Sequence, residues 1–305
     1  MGTGEVLLTG ATGLLGRALV RHLAADYSVT AVSKSGAGSV VPCDLSEEGS
    51  VAALFGSRKL SLAVHAAAWS DVDGCENDPM LAHRVNALGT RHLALECARR
   101  RIPLVYISTD YVFDGRKETP YEEKDRTCPV NVYGMTKLEG EHYARLAPRS
   151  VVVRTSWLFG AGPSSGFVNA MLGRLKNEDA VQVLDDQVGA PTYAEDLSGA
   201  IRRIAAYLLD RGPAAAMPAG GGLFHVCNAG SATRYEMALR MTEWLGLGRV
   251  RVEKAVEKSV PGRVAIRPRR SVMSPAHFEN FFKERMRPWE ESLKDYLNGM
   301  AACAR

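Results

Sequence analysis

The feature that most constrains this chain is a turn of three glycines between a short apolar segment and a helical pattern. Residues 6–9 form the apolar segment, and Gly10, Gly13 and Gly16 follow it in the spacing G-x-x-G-x-x-G. Glycine at these positions permits a tight turn, the close approach of a pyrophosphate to the backbone and the close packing of a helix on a strand. Because the turn lies between a predicted strand and a predicted helix, it indicates a dinucleotide-binding βαβ unit.

Short apolar runs and helical patterns alternate through the first half of the chain. The apolar runs predict strands at residues 6–9, 28–33, 62–65, 104–108 and 151–153. Between them we expect helices after the glycine turn and at residues 46–55, 79–101 and 130–146, with Ser46 as the N-cap of the second helix. Strict alternation of this kind predicts parallel strands with crossover helices on both faces, which is a doubly wound, Rossmann-like α/β sheet.

The pattern loosens after residue 155. Helices are predicted at residues 167–176, 193–209 and 235–245, a late strand at 223–226 and an exposed loop at 212–222, where Ala, Gly and Pro dominate. We expect the chain to return to the sheet near its late strand. The predicted dinucleotide-binding domain is therefore residues 1–155 with about 193–228. A smaller, discontinuous α+β substrate lobe would comprise about 156–192 with 229–305.

Composition excludes several classes of protein and partner. The 305 residues are 46% hydrophobic and 24% charged, which is typical of a globular chain. The net charge of +4 is small for a nucleic-acid-binding protein, and no apolar run reaches the roughly 20 residues that span a bilayer. Six cysteines form no compact disulfide framework, and no leader pattern is present at the N-terminus. We therefore expect a reduced, cytoplasmic protein without a nucleic-acid or membrane partner.

The end of the second strand bears on the choice of cofactor. An acidic residue at this place would bind the ribose 2′-hydroxyl of NAD, but the sequence here is Ser33-Lys34-Ser35. A lysine with two hydroxyls suits a 2′-phosphate, so we hypothesise NADPH as the cofactor and leave NADH open. In the alternative interpretation, Lys34 is a solvated loop lysine.

Tyr133 and Lys137 lie four residues apart on a predicted helix, so both occupy one face. A free phenol has a pKa near 10, and a neighbouring ammonium lowers it, which makes a general acid/base from a tyrosine. Ser108 and Thr109 end the fourth predicted strand, at the edge where open sheets bind ligands. A hydroxyl there can hydrogen-bond the same substrate oxygen that the tyrosine protonates.

These motifs give the chain a specific resemblance. It resembles the extended short-chain dehydrogenase/reductases and, within them, the dTDP-4-dehydrorhamnose reductase family. The segments that carry the resemblance are GATGLLG at 10–16, HAAAW at 65–69, STDYVFDG at 108–115, NVYGMTKLE at 131–139, RTSW at 154–157 and DQVGAPT at 186–192. After residue 230 the match rests chiefly on Arg267-Pro268.

The resemblance implies a reaction and the residues that perform it. A nicotinamide would transfer hydride to the C4 carbonyl of a nucleotide-linked 6-deoxy-4-keto sugar, most closely dTDP-4-dehydrorhamnose. Tyr133 would donate the proton, Lys137 would assist it and hold the nicotinamide ribose, and Thr109, or alternatively Ser108, would orient the carbonyl. The implied substrate contacts are Asp110 and Trp157, with Arg267 either on the diphosphate or in a solvated turn.

The implied cofactor contacts come from the glycine turn, the second and third strand ends, the segment after the second strand and the catalytic helix. They are Gly10, Thr12, Gly13, Leu14, Leu15, Gly16, Ser33, Lys34, Asp44, Leu45, Ala67, Ala68, Trp69, Tyr133 and Lys137. Some members of the family are associated with Mg²⁺, but no His, Cys and Asp cluster in this sequence has metal-ligand spacing, and we assign no ligand to it.

Two other functions compete with a reductase. The first is a related sugar-nucleotide dehydratase or epimerase, but dehydratases that resemble this chain need an acidic pair after the threonine, and Tyr111 follows Asp110 here. The second is a non-catalytic regulatory subunit like that of methionine adenosyltransferase, which is similar in its D-Y-V-F-D-G and Y-G-x-T-K segments. Thr155-Ser156-Trp157 favours the reductase. The expected partner is a small sugar nucleotide, and a homodimer is left open.

Overall fold

The computed structural model describes residues 4–162, 166–210, 222–257 and 262–303. Within these ranges the centre of the molecule is a sheet of seven parallel strands. Their bounds are β1 (Glu5–Thr9), β2 (Ser28–Ser33), β3 (Val41–Pro42), β4 (Leu60–His65), β5 (Leu104–Thr109), β6 (Val151–Thr155) and β7 (Leu223–His225). They stand side by side in the order β7-β6-β5-β4-β1-β2-β3. The predicted doubly wound sheet is therefore confirmed.

Helices cover both faces of this sheet. They are α1 (Leu14–Ala24), α2 (Glu48–Gly56), α3 (Val72–Asn77), α4 (Pro79–Ala82), α5 (Gly89–Arg100), α6 (Val132–Ala144), α7 (Phe167–Asn177), α8 (Ala194–Asp210), α9 (Arg234–Trp244), α10 (Ala276–Phe282) and α11 (Trp289–Cys303). Leu8 packs in a core with α1, α8 and α10, and Leu7 packs in a second core with α2, α5 and α6. Adjacent residues of β1 serve opposite cores because side chains alternate across a strand.

A third apolar core lies beside the sheet. It joins Phe159 and Val181 to Met237 and Leu293, so it draws on both segments of the predicted substrate lobe. A short parallel ribbon supports it, in which Ala180–Leu184 pairs with Arg251–Ala255. Helix α10, which the prediction put in this lobe, contributes instead to the core that contains β7. The division of the chain into two domains stays a prediction.

The second predicted helix begins later than the sequence indicates. Ser46 does not cap it, because the backbone N–H and the hydroxyl of Ser46 both donate to Asp44 Oδ1, at 3.0 and 2.7 Å. The helix begins at Glu48, and Glu47 occupies the cap position without a side-chain hydrogen bond. The carboxylate of Asp44 thus holds Ser46 in a turn before the helix begins.

The single helix predicted at residues 79–101 is divided. It begins as α4, passes through a π-helical segment at His83–Leu88 and continues as α5. The preceding helix α3 was not predicted. Asp71 and Asp78 cap α3 and α4 by accepting hydrogen bonds from the backbone N–H groups of Gly74 and Leu81. The wider π-helical turn is typical of functional sites, and it lies beside the cleft described below.

Two further predictions concern loops and membranes. The Ala-, Gly- and Pro-rich loop predicted at 212–222 lies almost entirely outside the described residues, which omit 211–221. In the described part of the chain, no helix has the length and apolar character needed to cross a membrane.

The glycine turn provides a test of how tightly α1 packs on β1. A Cβ atom at Gly16 would lie 2.0 Å from the carbonyl oxygen of Gly10, so we expect Gly16→Ala to lower the free energy of unfolding by about 1–3 kcal/mol. At Gly173 on α7 nothing lies within 4 Å of an added Cβ, and Gly173→Ala should keep or slightly raise stability. Urea unfolding measures both variants. Equal midpoints for Gly16→Ala and the unaltered chain would contradict this packing.

Candidate active site

A cleft of about 870 Å³ opens at the carboxyl edge of the sheet. The glycine turn, the ends of β1, β4, β5 and β6 and the start of α9 line it, which is where open α/β sheets bind ligands. With one exception, all of the predicted site residues line this cleft. They are Gly10, Thr12, Gly13, Leu14, Leu15, Gly16, Ser33, Lys34, Asp44, Leu45, Ala67, Ala68, Trp69, Thr109, Asp110, Tyr133, Lys137 and Trp157, and the alternative Ser108 joins them.

The exception is Arg267. Its guanidinium hydrogen-bonds Asp73, with Nη1 3.2 Å from Oδ1 and Nη2 2.5 Å from Oδ2, and it also donates to the backbone oxygen of Ala265. The Arg267 guanidinium lowers the pKa of Asp73 to about 2. Arg267 is thus absent from the lining of the cleft, and Asp73 is the partner of its guanidinium.

The glycine turn leaves backbone exposed to the cleft. Gly10 has a φ of +72°, and a Cβ atom there would lie 2.7 Å from the backbone nitrogen of Ala67. No side chain caps α1 at Gly13, so the N–H groups of its first turn remain for a ligand. Such a helix start attracts phosphate groups, because free N–H donors and the positive end of the helix dipole coincide there. The residues of this turn therefore fit the pyrophosphate of a dinucleotide.

Lys34 is paired with an acid that the sequence analysis treated separately. Its Nζ lies 2.9 Å from Asp44 Oδ2, and the lysine side chain is 73% exposed. Hydrogen bonds from Ser46, together with Lys34, lower the pKa of Asp44. A 2′-phosphate at this end of the cleft would therefore contact the exposed ammonium of Lys34, which is paired with the carboxylate of Asp44.

Helix α6 is packed against β5 and the turn that follows it. Asn131 caps the helix by accepting a hydrogen bond from the backbone N–H of Gly134 at 2.8 Å. A Cβ atom at Gly134 would lie 2.1 Å from the backbone oxygen of Tyr111, and one at Gly140 would lie 2.2 Å from the hydroxyl of Tyr106. The close approach at these two glycines brings the helix that carries Tyr133 and Lys137 next to the end of β5.

Tyr133 is a protonated phenol in this site. Burial raises the pKa of Tyr133 far above its usual value, and a hydrogen bond with the Thr109 hydroxyl opposes the shift. The lowered pKa that the Tyr-x-x-x-Lys spacing suggested is thus not the state of the ligand-free cleft. A phenol that keeps its proton at neutral pH is suited to donating that proton rather than to accepting one.

Lys137, one turn after Tyr133 on α6, is almost fully buried. Its Nζ donates to the backbone oxygen of Ile107 at 2.7 Å and lies 4.1 Å from the centre of the Tyr106 ring. Burial lowers the pKa of Lys137 to about 7, and the carboxylate of Glu141 opposes this shift. Small changes in the cleft can therefore change the charge of this lysine near neutral pH.

The two candidate hydroxyls have different partners. Ser108 Oγ donates to Glu141 Oε1 at 2.6 Å, and Arg154 forms two 2.8 Å hydrogen bonds with the same carboxylate. Thr109 Oγ1 donates to Asp110 Oδ1 at 3.0 Å and accepts from the backbone N–H of Tyr111 at 3.2 Å. Because the Ser108 hydroxyl is held in a buried ion-pair network, Thr109 is the better placed hydroxyl beside Tyr133.

Asp110 is buried beside Thr109. Burial raises the pKa of its carboxyl to about 6, and hydrogen bonds from Ser271 and Thr109 oppose the shift. Ser271 donates to Oδ2 and Thr109 to Oδ1, so each carboxylate oxygen has a hydroxyl partner. The side chain of Asp110 is thereby fixed at the wall of the cleft.

Trp157 and Arg234 both line the cleft. Trp157 has a φ of +45°, and Gly189 accommodates its ring, because a Cβ there would lie 2.3 Å from Cε2. Arg234 Cζ lies 3.8 Å from the centre of the Trp157 ring and 4.7 Å from that of Phe167.

Sequence reasoning did not single out Arg234. The capping box of Thr233 and Glu236 marks the start of α9 and could have located Arg234 as the first residue of that helix. Nothing in the local sequence shows that this helix start lines the cleft, because its position depends on the pairing of Val188–Gly189 with Ala232–Thr233.

Metal ligands are not grouped in this molecule as far as the structure describes it. Among the residues at 4–162, 166–210, 222–257 and 262–303, no group of three or more His, Cys, Asp and Glu could hold a metal ion. We therefore assign no residue to Mg²⁺.

The chain matches known proteins along nearly its whole length. Residues 4–302 match the family model described as the RmlD substrate binding domain. A dTDP-4-dehydrorhamnose reductase of Mycolicibacterium smegmatis is 37% identical over 294 residues, which cover 95% of this chain and 84% of the relative. One of Streptomyces griseus is 36% identical over 301 residues, covering 98% and 94%. The solved dTDP-4-dehydrorhamnose reductase of Bacillus anthracis in complex with NADP is 29% identical, with a TM-score of 0.87, covering 97% of this chain and 99% of that one.

The lowered pKa of Lys137 predicts how stability changes with pH. The unfolded chain keeps the lysine proton up to about pH 10.4, whereas the ligand-free folded protein releases it near its pKa of about 7. Between these values the unfolded state binds more protons, so raising the pH stabilises the folded state. We expect the urea midpoint of the unaltered protein to rise, relative to that of Lys137→Met, between pH 7 and pH 9. Parallel midpoints over this range would contradict the burial of an ionisable lysine.

Proposed function

We propose a function for this chain from one premise: it belongs to the family described as the RmlD substrate binding domain. The chain is an NADPH-dependent oxidoreductase that reduces the C4 carbonyl of a nucleotide-linked 6-deoxy-4-keto sugar. Its substrate is dTDP-4-dehydrorhamnose and its product is dTDP-rhamnose. The observation that carries this conclusion is the meeting of Thr109, Tyr133 and Lys137 in one cleft with the glycine turn.

The proposed reaction adds a hydride and a proton to a carbonyl. NADPH, when bound, supplies the hydride for C4. As negative charge develops on the carbonyl oxygen, the Tyr133 phenol donates its proton there, and the product is the C4 alcohol. Burial keeps that phenol protonated at neutral pH, which supports a donor role.

Lys137 and Thr109 assist Tyr133 in this proposal. The ammonium of Lys137 stabilises the phenolate that remains after the proton has left, and in this proposal it also contacts the nicotinamide ribose. The Thr109 hydroxyl orients the carbonyl oxygen, which agrees with its contact to Tyr133. The surrounding backbone N–H of Tyr111 and carboxylate of Asp110 hold the hydroxyl in place.

The substrate and the cofactor occupy different parts of the cleft in this proposal. Residues 1–155 with about 193–228 hold the cofactor, and about 156–192 with 229–305 form most of the wall against the sugar nucleotide. Asp110 and Trp157 contact the substrate, since both line the cleft near Thr109. Arg267 is left out of the substrate site, because Asp73 already engages its guanidinium.

The competing functions fit the site less well. A dehydratase would need a second acid where Tyr111 stands, and burial raises the pKa of Tyr111 to about 12, so this group is a neutral phenol. A regulatory subunit would have no need of the arrangement of Thr109, Tyr133 and Lys137 around one cleft. The reductase therefore accounts for more of the observed geometry.

Replacing the proposed proton donor tests the reaction. In an assay of NADPH absorbance with dTDP-4-dehydrorhamnose, we expect Tyr133→Phe to lower kcat by about 10²–10⁴-fold. The KM for NADPH should change by less than about threefold, since the phenol acts mainly in the chemical step. Tyr143→Phe is the matched control, because Tyr143 lies on the same helix and its hydroxyl bonds Glu139 outside the cleft. Equal turnover by the two variants would reject Tyr133 as the donor.

Lys34 tests the choice of NADPH. We propose that its ammonium exchanges Asp44 for the 2′-phosphate, so Lys34→Ala should raise the KM for NADPH about five- to tenfold. The KM for NADH should stay within about twofold, because NADH lacks that phosphate. Lys59→Ala removes an exposed lysine outside the cleft and controls for net charge. An unaltered protein with a tenfold higher kcat/KM for NADH would contradict the proposed preference.

A further inference from the structure

We infer that Arg234 binds the diphosphate of the sugar nucleotide. The inference rests on the proposed function, because it specifies how the same cleft holds the charged part of its substrate. The sequence motifs did not single out Arg234. In this inference Arg234, rather than Arg267, binds the diphosphate.

The backbone holds Arg234 at the edge of the cleft. Thr233 Oγ1 accepts a hydrogen bond from the N–H of Glu236 at 3.0 Å, and Glu236 Oε2 accepts one from the N–H of Thr233 at 2.7 Å. Thr233 also pairs with Val188 in a short antiparallel ribbon and donates its hydroxyl to Asp185. The start of α9 is therefore fixed on both sides, and Arg234 is its first residue.

Two aromatic rings fix the plane of the Arg234 side chain. Its guanidinium carbon lies 3.8 Å from the ring centre of Trp157 and 4.7 Å from that of Phe167. A guanidinium stacks well on aromatic faces, and stacking leaves its N–H donors free at the edge of the plane. Little side-chain entropy is then lost when these donors bind a ligand.

The donors of Arg234 have no acceptor within the described parts of the chain. Neither a hydrogen bond nor a carboxylate within 4.0 Å is found for its guanidinium among those residues. Two other arginines act electrostatically on Tyr111 in the cleft, but both have acidic partners. Arg263 pairs with Glu257, and Arg267 pairs with Asp73. A half-buried guanidinium without an anionic partner carries a cost of desolvation, and an anion from the ligand would relieve it.

Arg234 stays charged under physiological conditions, although desolvation lowers its pKa. Desolvation lowers the pKa of Arg234 to about 10, with opposing contributions from Tyr111 and Asp110. At neutral pH the side chain is a cation that faces the cleft, and Asp110 is already engaged by the hydroxyls of Ser271 and Thr109.

The chemistry of the proposed substrate offers one matching group. A sugar nucleotide is neutral at its sugar and carries its negative charge on the diphosphate. The planar fork of a guanidinium matches pairs of phosphate oxygens, so it binds this group with two parallel hydrogen bonds. With the sugar carbonyl at Tyr133 and Thr109, the diphosphate of the same substrate would reach Arg234, which lines the same cleft.

Binding of dTDP and thymidine to the NADP-loaded protein tests this role by calorimetry. We expect Arg234→Met to weaken dTDP binding about tenfold to a hundredfold and to change thymidine binding by less than about twofold. Methionine keeps an unbranched side chain between Trp157 and Phe167 but has no donor. Arg234→Lys keeps the charge without the fork, so its dTDP affinity should fall between those of the methionine variant and the unaltered protein.

Arg240→Met is the matched control, since Arg240 lies exposed on the same helix and pairs with Glu243. In turnover with the sugar nucleotide, Arg234→Met should raise KM by the same factor as the loss of dTDP affinity and keep kcat within about threefold. If both Arg234 variants bind dTDP within twofold of the unaltered protein, the inference is overturned, even when reductase activity is intact. If the unaltered protein fails to turn over any 4-keto sugar nucleotide, the proposed function fails, and the dTDP comparison still decides the role of Arg234.

Discussion

The rest of the site depends on the close packing of the α6 backbone against β5 and the turn that follows it. Gly134 and Gly140 allow it, because side chains at these positions would collide with the backbone of Tyr111 and the hydroxyl of Tyr106. The Tyr106 hydroxyl in turn donates to the backbone oxygen of Lys137 at 3.2 Å. A helix held farther from the strand could not bring its tyrosine to the hydroxyl of Thr109. The position of the proposed catalytic residues therefore depends on the absence of side chains at Gly134 and Gly140.

A buried ion pair fastens the same helix to the sheet. Glu141 of α6 accepts hydrogen bonds from Ser108 on β5 and from Arg154 on β6, and all three side chains are buried. Such a pair adds little net stability after desolvation, but breaking it leaves an uncompensated buried charge. It thus defines the register of the helix against both strands. Its carboxylate also raises the pKa of Lys137 against the effect of burial, so structure and chemistry are coupled here.

Local sequence patterns predicted much of this molecule, but they did not predict the contacts between residues that are far apart in the chain. Strand periodicity, the glycine turn and the Tyr-x-x-x-Lys spacing are local, and they located β1, α6 and the residues that line the cleft. The partners of charged side chains are set by folding: Arg267 meets Asp73 from 194 residues away. Arg234 reaches the cleft only through a ribbon formed with Val188–Gly189. The residues next to Arg267 and Arg234 in the sequence do not indicate these contacts.

The central claim is that hydride passes directly from the nicotinamide to C4 of a keto sugar nucleotide in this cleft. The most direct measurement uses NADPH deuterated at nicotinamide C4, on each face in turn, with dTDP-4-dehydrorhamnose and NMR of the product. We predict that deuterium from one face alone appears at C4 of the sugar, because a fixed cofactor presents one face to the substrate. Deuterium at another carbon, or NADPH that stays unoxidised beside the 4-keto sugar, would contradict this account.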